Sequence, residues 1–247
     1  MVPEQVCNTS IGYWNNKGFF KRPDMLAVEE PLEIRLQTAL ETKPVAVTMR
    51  TPGNDTELAA GFLFTEGIVK SRKDIASVQN DIYNHNAVVL VAGPGFAPAL
   101  DNLERNFYTT SSCGVCGKAS IDAIKTTPAF SEHKDQIKLA PSFFTSLPVK
   151  LREEQEVFES TGGLHAAALF TLDGNIILLR EDVGRHNALD KLIGHAFLND
   201  WIPLTNHILL LSGRSSFELM QKAAMAGIRV VAAVGAPSSL AVQTAKE

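Results

Sequence analysis

The last hundred residues carry the pattern that most restricts the fold. Segments of helical and strand periodicity alternate there, joined by short turns. Residues 153–160 predict a helix. Residues 164–170 and 175–180 predict two strands joined by a turn at Asp173-Gly174, a hairpin signal. Residues 186–198 place Leu189, Leu192, Ile193, Ala196 and Phe197 at helical spacing. A strand follows at 207–212. Ser215-x-x-Glu218 then reads as a capping box opening a helix that ends at Gly227. Residues 229–234 predict a strand, and Ser238 caps a final helix through Leu240 and Val242. The order αββαβαβα predicts a three-layer α/β domain over 151–247.

The first 110 residues mix strands and short helices and predict a smaller α+β domain. Residues 44–49 and 87–92 read as strands, the second apolar throughout and so buried. Between them, residues 55–64 read as a helix capped by Asp55 and ended by Gly67, with Leu58 and Phe62 on one face. Residues 1–25 read as irregular, because Pro3, Asn15, Asn16, Gly18 and Pro23 break any period. Residues 126–150 carry Pro128, Pro141 and Pro148 with no clear period. They read as a linker within the stretch 111–150, with a mobile flap beside the CxxC as the alternative.

Tyr108-Thr-Thr-Ser-Ser-Cys-Gly-Val-Cys-Gly-Lys118 holds two of the three cysteines, Cys113 and Cys116. Ser111 and Ser112 are N-cap candidates for a helix through Ala119, Ile121 and Ile124. Cys113 would then stand at its first turn, where the helix dipole and Lys118 favour the thiolate. Three readings compete. Structural zinc needs a second CxxC or a His-x3-5-His, and the chain has neither. A buried thiol pair or disulfide is the second. A working thiol that attacks, carries or exchanges sulfur is the third.

With a formal net charge of −4, the chain lacks the basic excess of a sequence-independent nucleic-acid binder. No apolar run approaches the roughly 18 residues needed to span a membrane. The absence of a signal-like apolar stretch and the few cysteines lead to an expectation of the cytoplasm.

Two strand-to-helix junctions have the chemistry to hold an anion. One is Leu211-Ser-Gly-Arg-Ser-Ser-Phe-Glu218, where Gly213, Arg214, Ser215 and Ser216 offer backbone N–H groups, hydroxyls and a cation. The other is Arg180-Glu-Asp-Val-Gly-Arg-His-Asn187, which crowds Arg185, His186 and Asn187 at a helix start. Both follow strands of one sheet, where α/β folds place ligands. The competing reading has the serines only capping a helix, and Arg185 paired with Glu181 or Asp182. Thr161-Gly-Gly-Leu-His-Ala-Ala167 adds His165 beside a glycine pair that permits close backbone approach. A histidine satisfied within the core is the alternative there.

Five ordered blocks resemble the formate dehydrogenase accessory sulfurtransferase family (FdhD). They are Met49-Arg-Thr-Pro-Gly-Asn-Asp-Thr-Glu-Leu-Ala-Ala-Gly-Phe-Leu63 with Glu66-Gly67, Ser112-Cys-Gly-Val-Cys-Gly117, Thr161-Gly-Gly-Leu-His-Ala-Ala167, Arg180-Glu-Asp-Val-Gly-Arg-His-Asn-Ala-Leu-Asp-Lys191 and Ser212-Gly-Arg-Ser-Ser-Phe-Glu218. The resemblance implies a cytidine-deaminase-like C-terminal domain. It implies a carrier that takes sulfane sulfur from a cysteine desulfurase and delivers it to the molybdenum bis-molybdopterin guanine dinucleotide cofactor of formate dehydrogenase. It implies that Cys113 holds the persulfide, with Cys116 relaying the sulfur or resolving the persulfide as a disulfide. It further implies binding of the cofactor's guanosine diphosphate arms, no metal held by the protein itself, and a homodimer. In the family a further strand and cofactor-binding segment follow the last helix; the domain as read here lacks that strand. A zinc deaminase on the same fold is disfavoured, because Ala167 stands where the proton-shuttling Glu belongs and the CxxC precedes the His. A non-catalytic chaperone that binds and delivers cofactor is the other alternative.

Overall fold

The computed structural model describes residues 5–96, 130 and 137–246. It begins with an antiparallel ribbon, β1 (Val6–Asn15) and β2 (Gly18–Ala27). A mixed sheet follows, built from β3 (Glu30–Gln37), β4 (Thr42–Arg50), β5 (Ile75–Asn80) and β6 (Ala87–Ala92) in the order β4-β3-β6-β5. Helix α1 (Asp55–Thr65) connects β4 to β5 and packs on this sheet. Helices α2 (Pro141–Glu154) and α3 (Glu156–Thr161) lead into a second sheet. Its strands are β7 (His165–Thr171), β8 (Ile176–Asp182), β9 (His207–Arg214) and β10 (Val230–Gly235), in the order β10-β9-β7-β8. Helices α4 (Arg185–Leu198), α5 (Phe217–Met225) and α6 (Ser239–Lys246) complete it. The predicted αββαβαβα order is present from α3 to α6, and the protein is a mixed α/β fold. Among the described residues no helix is long and apolar enough to cross a membrane.

One core runs through both sheets. On β3 every second residue, Leu32, Ile34 and Leu36, is fully buried, as a half-buried strand requires. These residues meet Leu58 and Leu63 of α1, which lead on to Leu189 and Leu192 of α4 and to Leu169 and Leu209 of the second sheet. Helix α1 lies between the first sheet and α4, so it is apolar on nearly all sides rather than along one stripe. Gly61 and Gly194 set how closely α1 and α4 cross. A Cβ added at Gly61 would strike the Asp190 carbonyl, and one at Gly194 would strike the Glu57 carbonyl. On the opposite face of the second sheet, Leu147 and Leu151 of α2 cover Ala166, Ala168, Phe170, Ile208 and Leu210. Strand β7 is therefore buried on both faces, which its near-continuous apolar sequence reflects.

Several local expectations are corrected. The stretch read as irregular at 1–25 contains the ribbon from Val6; its Asn15–Gly18 breakers form the turn, and Pro23 sits opposite Ser10 in a two-stranded ribbon that tolerates it. The stretch read as a linker contains α2. Pro141 stands at its start, where its missing N–H is an orphan anyway. Pro148 lies inside the helix without breaking it, and buried Leu147 and Leu151 hold that turn in place. Asp55 does not cap α1. Asn54 precedes the helix in the left-handed region, φ 57°, and Asp55 forms a bidentate pair with fully buried Arg50 at 3.0 and 2.9 Å. Ser215 and Glu218 do not form a capping box: Ser216 is the N-cap residue of α5, without a side-chain cap. Ser238 does cap α6, its hydroxyl accepting from the Ala241 N–H at 3.2 Å.

Candidate functional site

Strand β7 is antiparallel to β8 and β9, and β10 is parallel to β9. The C-terminal ends of β8, β9 and β10 therefore meet the start of β7 along one edge of the sheet. This gathers the two strand-to-helix junctions and His165 in one place. Asp182, at the end of β8, stands directly opposite His165. A Cβ at Gly213 would lie 3.3 Å from His165 Nδ1 and 4.0 Å from Arg185 Cδ, so glycine there lets all three segments converge.

The β7–β9 ladder ends short of this edge. The Ala166 N–H donates to Ser212 Oγ at 2.8 Å, and the β7–β9 pairing stops at Ala167 and Leu211. On the other side of β9, the register with β10 shifts between Ala233 and Gly235, beside Arg214. Under this edge lies a cleft of about 450 Å³ lined by Leu151, Arg152, Phe158, Gly162, Gly163, His165, Ser212 and Val234. The Arg152 guanidinium lies over the Phe158 ring, 4.3 Å from its centroid.

The sequence-selected residues take different places. His165 is half-buried at the cleft, and burial, reinforced by neighbouring Arg185 and His186 and opposed by Asp182, lowers its pKa below the ordinary 6.5. Arg214 is exposed at the end of β9, while Ser215 is buried and Ser216 is partly covered. Arg185 does not take up Glu181 or Asp182. Glu181 accepts from the Val157 and Phe158 N–H groups at the start of α3, and Asp182 serves other donors. Arg185 Nε is buried with no hydrogen-bond partner among the described residues. His186 is buried and its Nε2 lies 2.8 Å from Glu218 of α5, so it ties the two junctions together. Asn187 faces inward: its amide donates to the Met49 carbonyl at 2.7 Å and to Asp182 at 3.2 Å. Its donors are spent inside the protein and do not project toward the cleft. Cys113 and Cys116 lie outside the described residues.

Sequence reasoning missed Asp182, Thr51, Lys191 and Ser212. The buried Asp182 carboxylate accepts from Gly184 N–H at 2.8 Å and Thr51 N–H at 3.1 Å, and pairs with Lys191 at 2.7 Å. A local signal existed only for the first of these, since an Asp accepting from the N–H two residues on is an Asx turn.

The geometry fits an anionic ligand with a flat aromatic part. Arg185 and Gly213 lie beside His165 at the sheet edge, and a partly apolar cleft with an arginine–aromatic wall adjoins them.

The sequence model of the FdhD/NarQ family matches residues 27–247. The chain is 53% identical over 237 residues to a protein from Streptomyces coelicolor named Sulfur carrier protein FdhD, covering 92% of this chain and 82% of that one. A protein of the same name from Mycolicibacterium paratuberculosis is 54% identical over 235 residues, covering 92% and 84%. One from Saccharolobus solfataricus is 41% identical over 229 residues, covering 92% and 84%. The fold is similar to the crystal structure of a chain from Desulfotalea psychrophila described as a formate dehydrogenase accessory protein. That match has a TM-score of 0.75 at 21% identity and covers 98% of this chain and 90% of that one.

Proposed function

Because this chain belongs to the FdhD/NarQ family, we propose that it is a sulfur carrier serving formate dehydrogenase maturation. The names of relatives above 50% identity support the carrier role. The observation that carries the acceptor side is the sheet edge. There a buried Arg185 Nε without a partner among the described residues adjoins His165, Gly213 and an open cleft.

The chain acts as a sulfur-group transferase in the cytoplasm, where thiols stay reduced. The Cys113 thiolate attacks the sulfane sulfur of a desulfurase persulfide. A new S–S bond forms at Cys113, the old one breaks, and the desulfurase cysteine leaves as a thiolate. Direct delivery breaks the Cys113 S–S bond: the outer sulfur passes as a neutral sulfur atom to an acceptor, the reduced molybdenum cofactor, that supplies two electrons, and Cys113 returns as a thiolate. Cys116 either relays the sulfur as its own persulfide, or its thiolate attacks Cys113 Sγ, which releases the outer sulfur as hydrosulfide and leaves a Cys113–Cys116 disulfide that a cellular thiol reductant reopens. The bis-molybdopterin guanine dinucleotide cofactor is cargo. Arg185, Gly213 and Arg214 hold the phosphates of a guanosine diphosphate arm. The cleft beside His165 takes its base, stacked near Arg152 and Phe158. Asn187 supports this site from behind. The protein itself holds no metal in this scheme, and it works as a homodimer.

Intact-mass spectrometry after incubation with a cysteine desulfurase and cysteine tests the carrier step. A reductant-labile gain of about 32 Da is expected on the wild type and on Cys116→Ala, and not on Cys113→Ala. No gain on any of the three, with a competent desulfurase, overturns the persulfide and leaves a cofactor-delivering chaperone.

A further inference from the structure

The Met49–Asp55 block is far in sequence from the sheet edge, and the proposed chemistry gives it no task. Its position supplies one. Thr51 is fully buried and spends its backbone and hydroxyl groups on the turn between β8 and α4. Its N–H donates to Asp182 Oδ2 at 3.1 Å. Its carbonyl accepts from Lys191 Nζ at 2.8 Å. Its hydroxyl oxygen accepts from the Val183 N–H at 3.2 Å. Asp182 closes the ring through Gly184 N–H, Asn187 and Lys191, at 2.8, 3.2 and 2.7 Å. The Thr51 segment is itself anchored: neighbouring Arg50 is clamped by Asp55, Glu30 and Asn86. The residue immediately after this braced turn is Arg185.

We propose that Thr51 and Asp182 are positioning residues: they form a brace from the first sheet that fixes the β8–α4 turn and so aims Arg185 at the sheet edge. The inference rests on the anion-binding role given above to Arg185. A turn held only by its own Asx bond would leave the backbone that carries Arg185 free to shift, and that freedom would be lost on binding. A turn held from a second element has lost that freedom during folding, so the donor is pre-organised. The brace also makes the first sheet part of the site, although none of its residues lines the cleft.

Asp182→Asn removes a buried charge opposite Lys191 and risks the fold itself. The nearly isosteric Thr51→Val, which removes only the hydroxyl, is therefore the deciding variant, with Thr51→Ser as the conservative rescue. Two readouts are made on the full chain: amide hydrogen exchange across residues 183–187, and calorimetric binding of guanosine 5′-diphosphate. Thr51→Val is expected to speed exchange across the turn by about three- to tenfold, the loss of one hydrogen bond, and to weaken nucleotide binding by a similar factor. Thr51→Ser stays near wild type in both. In an Arg185→Ala background, Thr51→Val is expected to cause no further loss of binding, because it acts through Arg185. Unchanged exchange in Thr51→Val overturns the brace. So does an equal loss of binding with and without Arg185. If the wild type binds no guanosine diphosphate, the nucleotide reading of the cleft falls and the aim of Arg185 at that ligand falls with it, while exchange still decides whether the brace exists.

Discussion

At the scale of single residues, the sheet edge is set by side chains whose charge state depends on their surroundings. His165 is the clearest. It is half-buried, and burial with neighbouring Arg185 and His186 lowers its pKa below 6.5. The folded protein therefore takes up this proton less readily than the unfolded chain. Above about 6.5 both states are neutral at this residue and it contributes nothing. As pH falls from there through the lower folded value, stability is lost. NMR titration of the His165 ring protons is expected to give a midpoint below 6.5, moving upward in Arg185→Ala; an unmoved midpoint would show that Arg185 does not reach it. Glu57 shows the opposite balance. Burial alone would raise it, but hydrogen bonds from Arg180 and His195 outweigh burial and hold its pKa below the usual carboxylate value. Its contribution is present above the unfolded value and is lost as pH falls through the folded one.

At the scale of elements, α1, α4 and α5 are locked by geometry and by buried charge. Lys222 of α5 reaches Asp190 of α4 at 2.9 Å and Thr65 of α1 at 2.8 Å. Burial would lower the Lys222 pKa, but Asp190 and Glu66 outweigh burial and raise it, so the ammonium stays charged. The α1–α4 crossing depends on Gly61 and Gly194, each of which meets backbone rather than a yielding side chain. Gly61→Ala and Gly194→Ala are each expected to destabilise the protein by about 3 kcal/mol or more, since the helices must part. Urea unfolding measures this. A loss below about 1 kcal/mol would mean that the crossing adjusts freely. Little of this was legible beforehand. Residues 55–64 and 186–198 read correctly as helices, because apolar spacing is local. That two glycines, far apart in the chain, face each other is a property of docking. Pro148 misled the reading for the complementary reason: a breaker residue records a local preference, and the packing of Leu147 and Leu151 overrides it, whereas the Asn15–Gly18 breakers mark a turn between two strands.

At the scale of the whole molecule, the parts differ in how firmly they are held. The family match begins at residue 27, where the β1–β2 ribbon ends. The ribbon exposes Trp14 at 75% and Phe19 at 59%, and the shared core begins only at β3. A two-stranded ribbon alone is marginal in water. Removal of residues 1–27 is expected to leave a folded, cooperative protein, with the melting temperature lowered by no more than a few degrees. Loss of cooperative melting would place the ribbon within the folding unit. The sequence by itself determined the αββαβαβα order, the strands at 44–49 and 87–92, the family blocks and the two strand-to-helix junctions that carry Arg185 and Gly213, because periodicity, turn chemistry and motif spacing are written over a few residues. Only the tertiary structure decided that Asn187 turns inward, that Glu218 meets His186 instead of its own helix cap, and that Thr51 stands behind Arg185. Each is a contact between elements from 30 to more than 130 positions apart. Which donor meets which acceptor there is fixed by how sheets and helices pack, not by the residues on either side.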